Sequence, residues 1–294
     1  MNEQIQKLLD LKLPSPVEEI TYERYTFSCK RDDLIHPVIS GNKWRKLYYH
    51  LQHYFERGYQ QIASFGGAYS NHLYALSHVC AALKIPLTAF VRGDGFDPEN
   101  STLQKMRSDG TNLMFIDRSS YRLKEEGNVV KTTLNNLNHC MLVPEGGSGL
   151  RGRKGIEHLC EELNWQDINH IVVSAGTGAT AAGLFDYIAR ENLDVTLHVV
   201  SALKGAFMQA EIIRQLSVAG DDRLQVYHDY HFGGYGKMPA ELKIFQNKFQ
   251  EVTGIELDLV YNAKSVYAMM DMLKAKKIHS EEGVLYINTG GLRI

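Results

Sequence analysis

Apolar positions recur along this chain in two rhythms. Trp44, Leu47, Tyr48, Leu51, Tyr54 and Phe55 fall at three- and four-residue spacing, which predicts an amphipathic helix over 43–57, stopped by Gly58. Helices are predicted likewise over 69–83, 98–108, 180–190, 206–218, 239–252 and 264–276, with another ending near 163. On the 239–252 helix, Leu242, Phe245, Phe249 and Val252 line one face and Gly254 closes it. Between the helices lie short apolar runs bounded by turn residues. They predict strands at 61–65, 87–91, 113–116, 141–143, 170–174, 195–200, 255–260 and 284–287. Strands separated by helical stretches imply parallel crossovers, so the fold class is α/β, with mostly parallel open sheets flanked by helices.

Length and charge narrow the classes. At 294 residues, one or two domains are expected. With 32 Lys+Arg against 34 Asp+Glu there is no basic excess to neutralise phosphates, so neither nucleic acid nor an anionic membrane is an expected partner. Apolar residues at 44% suffice for a large core. No apolar run approaches the ~20 residues of a bilayer span, and the N-terminal stretch MNEQIQKLLDLKLPSP has no export pattern. Cys29, Cys80, Cys140 and Cys160 are widely spaced, as buried reduced thiols of a cytoplasmic protein would be.

Glycines cluster where the predicted strands end: at 64–72, 143–155, 174–183, 231–239 and 288–291. In open α/β sheets ligands bind at those strand ends, where helix N-termini point at them. The segment Gly176-Thr177-Gly178-Ala179-Thr180, between an apolar strand and an Ala-rich helix, is the best phosphate cradle. Its spacing also fits a dinucleotide turn, but the strand ending Val199-Val200-Ser201-Ala202 lacks the acid that would hold a ribose, so a monophosphate fits better.

Lys43, Arg45 and Lys46 sit in the first turn of a predicted helix, where the macrodipole opposes positive charge. A solvated basic face is expected for Arg45 and Lys46. For Lys43 the same field favours the free amine, which suits Schiff-base chemistry. In Gly66-Gly67-Ala68-Tyr69-Ser70-Asn71-His72 another strand ends at a helix start, where Ser70 or Asn71 can cap the helix and the same N–H groups can hold a carboxylate. G-x-S-x-G and H-E-x-x-H are absent, which disfavours serine and metal hydrolases.

Taken in order, SGNKWRKL (40–47), GGAYSNH (66–72), PEGGS (144–148), SAGTGATAAG (174–183), GGYG (233–236), VYNAKS (260–265) and LYINTGG (285–291) resemble the 1-aminocyclopropane-1-carboxylate deaminase / D-cysteine desulfhydrase family. Its members are pyridoxal-phosphate (PLP) enzymes of the tryptophan-synthase β-like fold. The resemblance implies Lys43 as the Schiff-base lysine, with Asn71 beside the cofactor's ring hydroxyl. Gly176, Thr177, Gly178, Ala179 and Thr180 would hold its phosphate, and Asn262 and Thr289 would lie beside the ring. Ser70, His72, Tyr235 and Tyr261 would face the substrate, with Ser70, Tyr235 and Tyr261 joining Lys43 in catalysis. The resemblance also implies a homodimer, and a large domain (1–46 and 151–294) with a small one (47–150) inserted and the cofactor between them.

Three positions depart from the family. Tyr69 stands where Gln is usual. Asn262 replaces the Glu of deaminases, and Thr289 resembles the desulfhydrases. A neutral Asn should stabilise a pyridinium less than Glu does. The expectation is a PLP-dependent lyase or deaminase of a small amino acid. D-cysteine giving pyruvate, ammonia and sulfide comes first. Conversion of 1-aminocyclopropane-1-carboxylate to 2-oxobutanoate and ammonia is the alternative. A nucleotide-dependent oxidoreductase using 174–183, and a non-catalytic PLP- or metabolite-binding protein, are the readings from other classes.

Overall fold

The computed structural model describes residues 3–279 and 281–291. The chain divides into two compact units, Met1–Leu11 with Lys46–Gly152, and Lys12–Arg45 with Arg153–Ile294. The helices are α1 (Glu3–Leu8), α2 (Asn42–Glu56), α3 (Asn71–Ala82), α4 (Ser101–Ser108), α5 (Arg118–Arg122), α6 (Asn128–Asn136), α7 (Gly149–Glu161), α8 (Ala179–Arg190), α9 (Met208–Gln215), α10 (Ala240–Thr253) and α11 (Asn262–Lys274). The strands are β1 (Val17–Tyr22), β2 (Tyr25–Arg31), β3 (Gln61–Gly67), β4 (Leu87–Arg92), β5 (Asn112–Ile116), β6 (Cys140–Val143), β7 (His170–Ala175), β8 (Thr196–Ser201), β9 (Leu224–Tyr227) and β10 (Val284–Asn288).

In the larger unit six strands run in the order β1-β2-β10-β7-β8-β9, all parallel except the β1–β2 hairpin. One apolar cluster contains Phe27, Val172, Leu242, Phe249, Met269 and Tyr286; another contains Ile156, Val173, Phe185, Val199, Ile212 and Ile287. The core β7 residues Val172 and Val173 belong to different clusters, as alternation along a strand with both faces covered requires. In the smaller unit the order is β5-β4-β3-β6, all parallel. Phe65, Phe90 and Tyr121 pack in one of its clusters and Leu73, Val91 and Met106 in another.

Several predicted elements change. The segment 255–260 is no strand: Ile255 and Leu257 are buried in alternation, but the Asp258 carboxylate accepts the N–H groups of Val260, Tyr261 and Asn262 and turns the chain into α11. The helix predicted from 98 begins at Ser101, because the Asn100 side chain accepts from Leu103 N–H. The one predicted over 206–218 is trimmed to α9. Phe55 and Val252 face solvent instead of the core. The hairpin β1–β2, the strand β9 and the short helices α1, α5 and α6 carry no pattern long enough to read.

Among the described residues, no helix is long and apolar enough to cross a membrane, and no cluster of three or more His, Cys, Asp or Glu could hold a metal ion. The four cysteines are free; Cys29, Cys80 and Cys160 are buried and Cys140 partly so.

Candidate active site

The larger unit brings Lys43 together with the Gly176–Thr180 loop. Asn42 is the connection: its Nδ2 donates to Thr180 Oγ1 at 2.9 Å, while its Oδ1 accepts from Lys43 Nζ at 2.6 Å. Thr180 therefore has an acceptor position filled and its own O–H left to donate. The first N–H groups of α8 have no acceptor within the helix, and the helix dipole favours an anion there. Gln215 Nε2 supports the loop from α9 by donating to the Thr177 carbonyl at 2.7 Å. Hydroxyl, backbone N–H groups and a nearby primary amine are the donor set that an aldehyde bearing a phosphate requires, so these residues fit PLP.

Burial pushes the Lys43 ammonium down to about 8, against the pull of the Asp258 carboxylate. Asp258 is itself buried, and its pKa is raised by burial in spite of the hydrogen bonds it accepts from Asn262, Tyr261 and Val260.

Two tight approaches show why glycines stand in these loops. A Cβ on Gly41 would lie 1.7 Å from the Thr289 carbonyl oxygen, so only glycine lets the Ser40–Lys43 segment lie against Thr289-Gly290. A Cβ on Gly176 would lie 2.9 Å from the Tyr261 ring. That ring in turn packs edge-on to Tyr235, with centroids 6.0 Å apart. Lys43, Gly176 to Thr180, Tyr261, Tyr235, Asn262 and Thr289 thus all belong to the larger unit.

The hydrogen bonds of Asn262, which the resemblance implies lies beside the ring, run within the chain. It is buried, and its Nδ2 donates to Asp258 Oδ2 at 2.5 Å and to the Gly290 carbonyl at 2.6 Å. Its Oδ1 accepts from Tyr286 O–H at 2.6 Å, Thr289 N–H at 3.1 Å and Thr289 Oγ1 at 3.2 Å. Both donors and the acceptor are used within the chain, so Asn262 holds Thr289 and Gly290 in place and has no free amide proton for a cofactor ring. The hydroxyl at this end of the site is that of Thr289, 3.3 Å from Ser174 Oγ.

Ser70, Asn71 and His72 belong to the smaller unit. Ser70 caps α3, accepting from Leu73 N–H at 3.2 Å, and Asn71 is the first helical residue. His72 is buried with Nε2 2.8 Å from Ser64 Oγ, which is the environment of a core histidine. Tyr69 is exposed.

Arg45 and Lys46 correct the expected solvated basic face: both are buried. The Arg45 guanidinium is 2.7 Å from both oxygens of buried Asp32 and also reaches Glu162 at 2.8 and 3.0 Å. Sequence reasoning missed Asn42, Ser174, Gln215 and Asp258. Asn42 lay inside a motif already singled out. An Asp in the turn leading into a helix, here four residues before α11, is an N-terminal signal that could have exposed Asp258.

The chain belongs to the pyridoxal-phosphate dependent enzymes, whose family model matches residues 11–290. Within them it belongs to the 1-aminocyclopropane-1-carboxylate deaminase family. It is 30% identical to a protein named "Putative 1-aminocyclopropane-1-carboxylate deaminase" from Thermotoga maritima, covering 97% of this chain and 96% of that one. A protein of the same name from Pyrococcus abyssi is 28% identical, covering 95% of this chain and 88% of its own. A crystal structure described as an ACC deaminase homologue matches with a TM-score of 0.80 at 25% identity, covering 99% of this chain and 96% of that one.

An Asn42→Ala variant is expected to hold PLP about tenfold more weakly, because the Thr180 hydroxyl and the lysine lose a shared partner. Fluorescence titration of the cofactor-free protein reads this; unchanged affinity would make the Asn42 bridge irrelevant to cofactor binding.

Proposed function

We propose that the protein releases ammonia from a small α-amino acid, with 1-aminocyclopropane-1-carboxylate as the first substrate and D-cysteine as the second. The observation that carries the reaction class is the Lys43–Asn42–Thr180 chain, which joins an amine of lowered pKa to a phosphate-type loop. The names of the relatives support 1-aminocyclopropane-1-carboxylate. Thr289 and the neutral, fully bonded Asn262 favour D-cysteine.

PLP, when bound, supplies an electron sink for the bonds at the substrate's α-carbon. In the proposed site the α8 N-terminus and Thr180 would hold its phosphate, and Lys43 would provide the amine that carries it. Lys43 would also be a base able to move a proton, since burial lowers its ammonium to about 8. Ser70 would be the second candidate for that proton transfer, and Asn71 would lie beside the ring hydroxyl. Tyr235 and Tyr261 supply hydroxyls on the substrate side. Thr289, held by its bond to Asn262, would lie beside the ring. With water, 1-aminocyclopropane-1-carboxylate gives 2-oxobutanoate and ammonia, and D-cysteine gives pyruvate, ammonia and sulfide. Assembly as a homodimer belongs to the same proposal.

Titrating the PLP-loaded protein with each amino acid in turn separates the readings. A visible band that shifts with 1-aminocyclopropane-1-carboxylate and yields 2-oxobutanoate is expected. Sulfide and pyruvate from D-cysteine alone would transfer the function to the second reading. A band with no 2-oxo acid from either would reject both and leave a cofactor-binding protein.

A further inference from the structure

We propose that Lys264 is a positioning residue: from within α11 its ammonium clamps the His231–Gly234 turn and so sets Tyr235 against Tyr261. The side chain is fully buried, at 0% exposure. Its Nζ donates to the His231 and Gly234 carbonyls, each at 2.9 Å. A buried ammonium is costly, and an apolar side chain of similar length would pack at that position without the penalty. The charged group therefore has a use that packing alone does not supply.

That use is visible in the turn. The His231 carbonyl also accepts from Gly234 N–H at 3.0 Å, and the Gly234 carbonyl from Lys237 N–H at 3.2 Å. The two acceptors of Lys264 thus bracket a segment with φ of +92° at Gly233 and +118° at Gly234. Such a glycine-rich segment has many conformations to lose, and one ammonium selects a single one. Two further contacts come from the same helix: Tyr267 packs edge-on to Phe232 at 5.0 Å, and Asp271 accepts from Tyr230 O–H at 2.5 Å. Tyr235 follows directly, 44% exposed, with its ring on Tyr261. The helix that starts at Asn262, the partner of Thr289, thereby also fixes the tyrosine loop. Burial lowers the Lys264 ammonium only to about 8, so it stays charged at neutral pH.

The kinetic part of this proposal rests on Tyr235 meeting the substrate, as proposed above; the structural part does not. In Lys264→Met, backbone amides of 231–236 in the cofactor-free protein are expected to exchange about tenfold faster, with β7 and α10 unchanged. Lys264→Arg, which keeps donors for both carbonyls, should recover most of that protection. In the PLP-loaded enzyme, Lys264→Met should raise KM about tenfold with kcat within about threefold, and add nothing to Tyr235→Ala in the double variant. Exchange at wild-type rates in 231–236, or a uniform acceleration across the unit, overturns the clamp. Should Lys264→Met be insoluble, Lys264→Gln takes its place in both measurements. Faster exchange together with an inert Tyr235→Ala keeps the clamp and removes Tyr235 from the proposed function.

Discussion

Lys43→Ala is expected to abolish turnover of every amino acid and to remove the visible absorbance of lysine-bound PLP. Lys43 combines three features. It is the residue bonded to Asn42, it stands beside the start of α8 through Thr180, and burial lowers its ammonium to about 8. With that pKa, roughly half of the amine is free at pH 8, against well under ~1% for an ordinary lysine. The sign follows directly. The nucleophile is the neutral amine, so PLP incorporation into the cofactor-free protein should accelerate as pH rises toward 8 and level off above it. Lys264 has a similarly lowered ammonium but gives both of its hydrogen bonds to backbone carbonyls, so it cannot substitute. Full activity in Lys43→Ala would sink the mechanism; loss of the band with retained activity would assign the chemistry to another group.

The second large effect is on stability. Arg45→Met should destabilise the protein by about 3–5 kcal/mol, since it leaves the buried Asp32 carboxylate and the neighbouring Glu162 without their common cation. For a unit of this size that corresponds to a fall in Tm of roughly 10 °C, measurable by calorimetry. Lys30 and Ser15 complete the cluster: Lys30 Nζ is 2.6 Å from Glu162 and from the Ser15 carbonyl, and Ser15 Oγ donates to Asp32 at 2.6 Å. For Glu162, burial works against the carboxylate, but hydrogen bonds from Arg45 and Lys30 prevail and hold its pKa below the ordinary value of 4.5. Its contribution is therefore complete above that value and is lost as pH falls through the depressed one. Arg45→Met should accordingly flatten the acid limb of the stability curve as well as lower its plateau. A change under about 1 kcal/mol would mean that the cluster behaves like a surface pair. Cofactor retention should weaken in parallel, because Gly41 N–H donates to the Asp32 carbonyl, one residue before Asn42.

The α/β class and most of the elements were legible in the chain because parallel strands buried on both faces leave uniform apolar runs, while amphipathic helices leave a 3.6-residue rhythm. Those signals are local, and so is the glycine loop at 176–180. Lys43, the lysine proposed to carry the cofactor, stood out for a different reason: it sits in a motif whose order along the chain, with the later loops, resembles one family. The hairpin β1–β2 was not, since its turn at Glu23-Arg24 carries neither Gly nor Asn. The strand predicted at 255–260 failed because alternation of buried residues does not distinguish a strand from an extended segment whose N–H groups are taken by a side chain.

Period thus pointed to the class, and the ordered motifs, through the family they resemble, to the cofactor and to Lys43 as the amine proposed to carry it. The environment around that lysine depended on partners more than a hundred residues apart: Asn42 with Thr180, Arg45 with Glu162, Gly41 with Thr289. No local pattern separates a solvated cation from a buried one, so Arg45 read as surface and proved to be core. For Asn262 likewise, the bonds to Thr289 and Gly290 could not be read locally. A hydrogen-bonding side chain takes its role from whichever donors and acceptors folding brings within about 3 Å, and that information exists only once the chain has closed on itself.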